Sequence, residues 1–144
     1  MNLTTKEIEN QIEKARDWKD MQEIFKEMPR ETLRQKVDGI LDKKGKSIRY
    51  LADSAGISVS GLYAMLNGDR PCRKETLIKI AFILELSLEE LNDLLKLGKL
   101  KELYAKNVED AIVIFGIRNK YPLSELDKLL EEKKCKLRFE EFRE

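Results

Sequence analysis

SIRYLADSAGISVSGLYAMLNGDRP, residues 47–71, decides the fold. Ile48, Leu51, Ala52 and Ala55 lie on one apolar stripe at helical spacing. Gly56 suits a left-handed turn conformation. Ser58 can cap the helix that follows, which turns Leu62, Met65 and Leu66 inward. Asn67-Gly68-Asp69-Arg70-Pro71 is a loop by its turn residues. The stretch therefore reads as helix, tight turn, helix. The outward positions of the second helix are Val59, Ser60, Gly61, Tyr63 and Ala64, with no Arg, Lys, Asn or Gln among them. What so bland a face can recognise is the question the sequence raises.

Upstream, Thr4 and Glu7 have the spacing of a capping box. Ile8, Ile12, Ala15, Trp18, Met21, Phe25 and Met28 follow at helical spacing, which predicts one amphipathic helix ended by Pro29. A second helix is expected from about residue 31 to 43, with Leu33, Val37, Ile40 and Leu41 inward and a break at Lys44-Gly45-Lys46. Downstream, a helix over about residues 73–85 turns Leu77, Ile80, Ala81 and Leu84 inward. Ser87 and Glu90 form a capping box for a helix that stops at Gly98. Asn107 and Asp110 cap a helix over residues 108–119. Pro122 suits the first turn of a last one, to about residue 134. The tail KCKLRFEEFRE has no clear period and is expected to be mobile.

The region after residue 73 repeats itself at an offset of 35. Leu77 matches Ile112, Ile80 matches Phe115, Ala81 matches Gly116 and Phe82 matches Ile117. Leu88 then matches Leu123, Glu90 matches Glu125 and Leu91 matches Leu126, and Leu94-Leu95 recurs as Leu129-Leu130. Two helical hairpins of one design are implied, with Ile112, Phe115, Gly116 and Leu126 buried between them.

Composition excludes several classes. At 144 residues with 42% hydrophobic and 38% charged side chains, the chain suits amphipathic helices around a packed core. No apolar run approaches the ~20 residues of a membrane span, and the start MNLTTKEIEN lacks the regions of a signal peptide. Cys72 and Cys135 have no metal-ligand spacing, so neither a disulfide framework nor a metal site is expected, and the reading is cytoplasmic. There is no histidine, hence no Ser–His or Cys–His pair, and no Gly-rich phosphate loop. Paired carboxylates such as Glu89-Glu90 and Glu131-Glu132 read as solvated helix faces. Neither an enzyme nor a cofactor is expected.

The net charge of +1 hides an uneven distribution. Residues 1–29 carry −2 and residues 75–144 carry −2. Residues 30–74 hold ten basic and five acidic side chains, a net +5. The excess surrounds the helix-turn-helix stretch, where a phosphate backbone would need it.

Leu51-Ala52, Gly56-Ile57-Ser58, Leu62 and Asn67-Gly68-x-Arg70 together resemble the lambda-repressor-like, Xre-type helix-turn-helix family. The resemblance covers about residues 30–97. It implies an all-α, five-helix DNA-binding domain at residues 30–98, preceded by an N-terminal amphipathic helix at 1–29 and followed by a C-terminal hairpin packed on the domain at 99–144. It also implies roles. Val59, Ser60, Gly61, Tyr63 and Ala64 stand where base-contacting side chains sit. Lys46, Ser47, Arg49 and Ser58 on one side, and Asn67, Arg70, Arg73 and Lys74 on the other, stand where phosphates are held. Two departures matter. The common Gln or Thr at the reading positions are replaced by small or apolar residues. Cys72 stands where a Ser or Thr would cap the next helix, and is read as a small buried thiol.

Two functions fit. One is a transcription regulator binding duplex DNA through residues 58–66, as a homodimer. The other is a helical protein-interaction adaptor, or an antitoxin-like regulator, that keeps the frame with weak base readout. A protein partner would dock on the N-terminal helix or the C-terminal hairpin. Trp18 is expected to lock the N-terminal helix onto the domain, or else to anchor a partner.

Overall fold

A computed structural model describes residues 4–27 and 31–139. The described residues hold helices and no strand. They divide into two compact units, Met1–Glu31 and Thr32–Glu144.

In the first unit the expected single helix is two: α1, Thr5–Lys14, and α2, Trp18–Glu27. Thr4 caps α1 by accepting from the Glu7 N–H. Ala15 is extended and closes it. Asp17 accepts from the Asp20 N–H, and Asp20 reaches back to the Arg16 N–H, both at 2.9 Å. The two aspartates together start a new helix, Asp17 capping its first turn and Asp20 holding the residue before the cap, and they override an apolar period that runs through the break. Trp18 is 66% exposed and meets the Phe25 ring edge to face at 5.7 Å. Met28 and the expected stop at Pro29 lie outside the described residues.

The second unit runs α3, Leu33–Lys44; α4, Ile48–Ala55; α5, Val59–Leu66; α6, Lys74–Ile83; α7, Leu88–Leu97; α8, Val108–Arg118; and α9, Leu123–Glu132. Its punctuation follows the sequence. Thr32 and Gln35 make a full capping box on α3, as Ser87 and Glu90 do on α7. Ser47, Ser58 and Asn107 cap α4, α5 and α8. Gly45 and Gly56 close α3 and α4 at φ of 65° and 72°, which glycine adopts without a Cβ penalty. One core joins all seven helices. Val37, Leu51, Leu62, Leu77, Ile80, Leu91, Leu94, Leu95, Leu126 and Leu130 are fully buried in it.

The offset-35 repeat extends to the backbone. Leu86 N–H donates to the Ala81 carbonyl, and Tyr121 N–H to the Gly116 carbonyl. Leu100 N–H donates to Leu95, and Cys135 N–H to Leu130. The non-glycine residues at positive φ fall in the same register: Glu85 with Lys120, and Lys99 with Lys134. Thus α6–α7 and α8–α9 share helix termini as well as apolar spacing.

The buried set differs from the expected one. Gly116 and Leu126 are buried, but Ile112 is only half-buried and Phe115 is 49% exposed. Val113 and Ile117 fill the core instead, pairing with Ile78 and Phe82 in the repeat. Leu77 and Ile80 are buried on α6, so α6 is covered at repeat positions that α8 leaves partly open. The tail also departs from expectation. Leu137 and Phe139 are buried, and the Phe139 N–H donates to Asp127 Oδ1 at 2.8 Å. Two apolar side chains two residues apart need no helical period to pack. Residues 140–144 lie outside the described residues.

A Cβ on Gly116 would stand 2.8 Å from Leu126 Cδ1 and 3.4 Å from the Phe82 ring. Gly116→Val is expected to cost about 1–3 kcal/mol by overpacking this crossing. Lys120→Gly, by contrast, is expected to be neutral or stabilising by up to ~1 kcal/mol, because it removes a left-handed non-glycine residue. Urea unfolding of both variants reads the two signs.

Candidate nucleic-acid interface

α5 has only eight residues. Leu62, Met65 and Leu66 are buried, and Val59 packs half-buried against the same core. Val59 and Leu66 lie seven residues apart, close to two full turns, so they share the inner face. The expectation that Val59 faces outward is corrected accordingly: it supports the helix rather than presenting itself. The outer face is Ser60, Tyr63 and Ala64, continued by the exposed Asn67.

The hydroxyl of Ser58 is committed to the Gly61 N–H at 3.0 Å, and that of Ser47 to the Tyr50 N–H at 3.0 Å. Both are helix caps, so what they offer a phosphate is a helix N-terminus with its free N–H groups rather than a free hydroxyl. Lys46 and Arg49 are exposed at the start of α4, with the Lys46 ammonium 4.6 Å from the centre of the Tyr50 ring. Arg70, also exposed, brings its Nη1 to 3.9 Å from where a Gly61 Cβ would stand. The loop after α5 thus lays a guanidinium against the place where the helix has no side chain. Arg73 is exposed at the N-cap of α6 and makes no side-chain cap.

Lys74 does not belong with this group. Its ammonium is paired with Asp110 Oδ1 at 2.5 Å. Asp110 is the one buried charged side chain among the described residues. Its other oxygen accepts from the Tyr104 N–H at 2.9 Å, and its own N–H donates to Asn107 Oδ1. One carboxylate therefore ties the start of α6, the loop before α8 and α8 itself. Lys74 is a structural cation, half-buried and neutralised. The sequence places Asp110 in the first turn of its helix but gives no sign of its partner 36 residues away.

Cys72 is half-buried, with its thiol 3.8 Å from the Met65 carbonyl. Burial pushes that thiol above its ordinary value, which keeps it protonated and slow to react. Its side chain also packs against Gly98, where a Cβ would stand 3.2 Å from Cys72 Cβ and Sγ.

Sequence reasoning missed Arg34. It comes from α3, outside the motif, and its guanidinium carbon lies 4.5 Å from the centre of the Tyr63 ring. Its Nη1 donates to Asn67 Oδ1 at 3.1 Å, and Asp38 lies 3.4 Å from its Nε. Only the basic excess of residues 30–74 hinted at it.

No group of His, Cys, Asp or Glu among the described residues could hold a metal ion, and no helix among them is long and apolar enough to cross a membrane.

Residues 40–91 match the family model HTH_3, described as helix-turn-helix. This stretch runs from the end of α3 into α7 and holds the whole α4–turn–α5 unit. The matched stretch is a helix-turn-helix domain, a class that binds DNA and that the lambda-repressor-like proteins share, and the described residues on either side of it are helical too. No curated protein and no solved structure matches the chain.

If Asp110 is a structural tie, Asp110→Ala leaves Lys74 and the Tyr104 N–H without their acceptor. The expected loss is about 2–3 kcal/mol, toward the low end for a broken buried pair because Lys74 is partly solvated. Chemical unfolding of the full chain measures it, and a loss below ~0.5 kcal/mol would contradict this role.

Proposed function

We propose that the chain is a sequence-selective transcription regulator that lays α5 in the major groove of duplex DNA. The observation that carries this reading is the setting of α5. Exposed Lys46 and Arg49 precede it, Arg70 lies against Gly61, Arg34 lies over Tyr63, and Arg73 follows. Arg70 and Arg34 thus stand against the outer face of the helix in the matched motif, and Lys46, Arg49 and Arg73 flank it along the chain. Ser60 can exchange hydrogen bonds with a base edge, and Tyr63 can reach a base or a phosphate. Neither offers a bidentate pairing, worth ~1–3 kcal/mol per base. Selectivity from α5 alone is therefore modest, and DNA shape contributes to it. The role is binding rather than catalysis, in the cytoplasm, with no cofactor.

The working unit in this reading is a homodimer. One short helix contacts few base pairs, and a two-fold copy doubles the contacts and sets half-sites ~34 Å apart or a multiple of it. The exposed Val108 and Phe115 of α8, beside exposed Tyr104, supply an apolar surface for the second copy. The same surface favours the second reading, a protein-interaction adaptor, if no duplex binds.

Binding to random and selected duplexes at two salt concentrations decides between the readings. Retention of duplex at low salt supports the regulator; none at any salt leaves the adaptor. Arg70→Ala is expected to weaken binding to all sequences alike and to reduce the salt slope by about one unit. For the dimer, Phe115→Glu is expected to leave a ~17 kDa species in sedimentation at concentrations where the unaltered chain associates.

A further inference from the structure

The outer face of α5 lacks a long polar side chain, yet a guanidinium stands on it. We propose that Arg34 is a base-reading residue of this domain, supplied by α3 and held over α5, and that it selects guanine in the major groove. The inference rests on the duplex-binding reading above and adds to it a specificity-determining residue.

Three contacts fix the group. The Tyr63 ring lies beneath the guanidinium with its centre at 4.5 Å from the central carbon. Asn67 Oδ1 accepts from Nη1 at 3.1 Å. Asp38, one turn along α3, lies 3.4 Å from Nε. The arginine and aspartate side chains keep 42% and 50% of their accessible surface, so this is an open platform and not a buried ion pair. Arginine carries five N–H donors in a rigid fork. The Nε edge faces Asp38 and one Nη1 hydrogen goes to Asn67. The second Nη1 hydrogen and both Nη2 hydrogens have no partner among the described residues.

That geometry suits a base edge better than a phosphate. A phosphate needs positive charge and little direction, and the Asp38 carboxylate beside the guanidinium would repel it. Guanine presents O6 and N7, a neutral pair of acceptors that a planar fork meets with two hydrogen bonds. Holding the fork in place by a stack and two side-chain contacts removes much of the rotamer entropy that such a contact otherwise costs. The arrangement also explains three features of the sequence. Tyr63 stands at a reading position as a platform, Asn67 spends its oxygen as a clamp, and Ala64 between them leaves room for a side chain from elsewhere.

The test is selection of duplexes from a random pool by the full chain, followed by affinity measurements on the selected site and on copies with single guanines replaced. The variants are Arg34→Ala, Arg34→Lys and Asn67→Ala, each checked for an unchanged melting curve. The unaltered chain is expected to prefer guanine at one position per half-site by about ten- to a hundredfold. Arg34→Ala and Arg34→Lys are expected to lose that preference, their affinity for the guanine-bearing site falling at least about tenfold further than their affinity for random duplex. Asn67→Ala is expected to blunt it. Lysine keeps the charge and not the fork, so its failure to rescue separates readout from electrostatics. If Arg34→Ala instead weakens all sequences alike with a salt slope lower by about one unit, Arg34 holds a phosphate and the proposal is overturned. An unchanged guanine preference in Arg34→Lys overturns it as well. If the unaltered chain retains no duplex, the duplex-binding reading fails first, and it fails in an arm of the experiment that contains no variant.

Discussion

The inward packing of α5 constrains everything else at this surface. The helix is two turns long, and Val59, Leu62, Met65 and Leu66 are spent on the core. Those side chains fix the helix against its neighbours. They leave Ser60, Tyr63 and Ala64, with Asn67 beyond the end, as its whole outward vocabulary. Those outward positions carry no Arg, Lys, Asn or Gln within the helix, so the cationic groups at its surface arrive from other elements. Arg70 comes from the following loop and Arg34 from α3.

The rest of the second unit holds those elements in place. α3 brings Arg34 because Leu33, Val37, Ile40 and Leu41 bind its other face into the shared core. The loop that carries Arg70 is held between the end of α5 and the start of α6. The start of α6 is tied in turn to α8 through Lys74 and Asp110. The α8–α9 hairpin is thereby part of what positions the interface, and its repeat of α6–α7 extends the same core by one more layer. The close crossing at Gly116 makes that layer possible, since any Cβ there would meet Leu126.

Much of this was legible in the sequence, for identifiable reasons. Capping residues, Gly45, Gly56 and the apolar stripes act locally, and each marks its own helix end or face. The repeat was legible because apolar spacing survives in it, and its shared backbone termini follow from that. Elsewhere a local signal lost to a competitor. The apolar period of residues 8–25 concealed a break that Asp17 and Asp20 impose. Phe115 occupies a core position by repeat but an outer one in space. The contacts that position the interface, within it and behind it, were the least legible. Lys74 with Asp110, and Arg34 with Tyr63 and Asn67, join residues some thirty positions apart on exposed or mixed faces. No spacing rule links such residues. The basic excess of residues 30–74 showed that cations gather there, without showing which one stabilises the fold and which ones face outward.

The most direct test of this account is a nuclear magnetic resonance titration of the isotope-labelled full chain with its selected duplex, reading backbone amides together with arginine Nε–Hε signals. The account predicts that the largest changes fall on residues 58–70 and on the Nε–Hε groups of Arg34 and Arg70. The amides of α9 and the side chain of Lys74 should remain nearly unmoved. Changes concentrated on α8 and α9, with α5 and Arg34 silent, would contradict it.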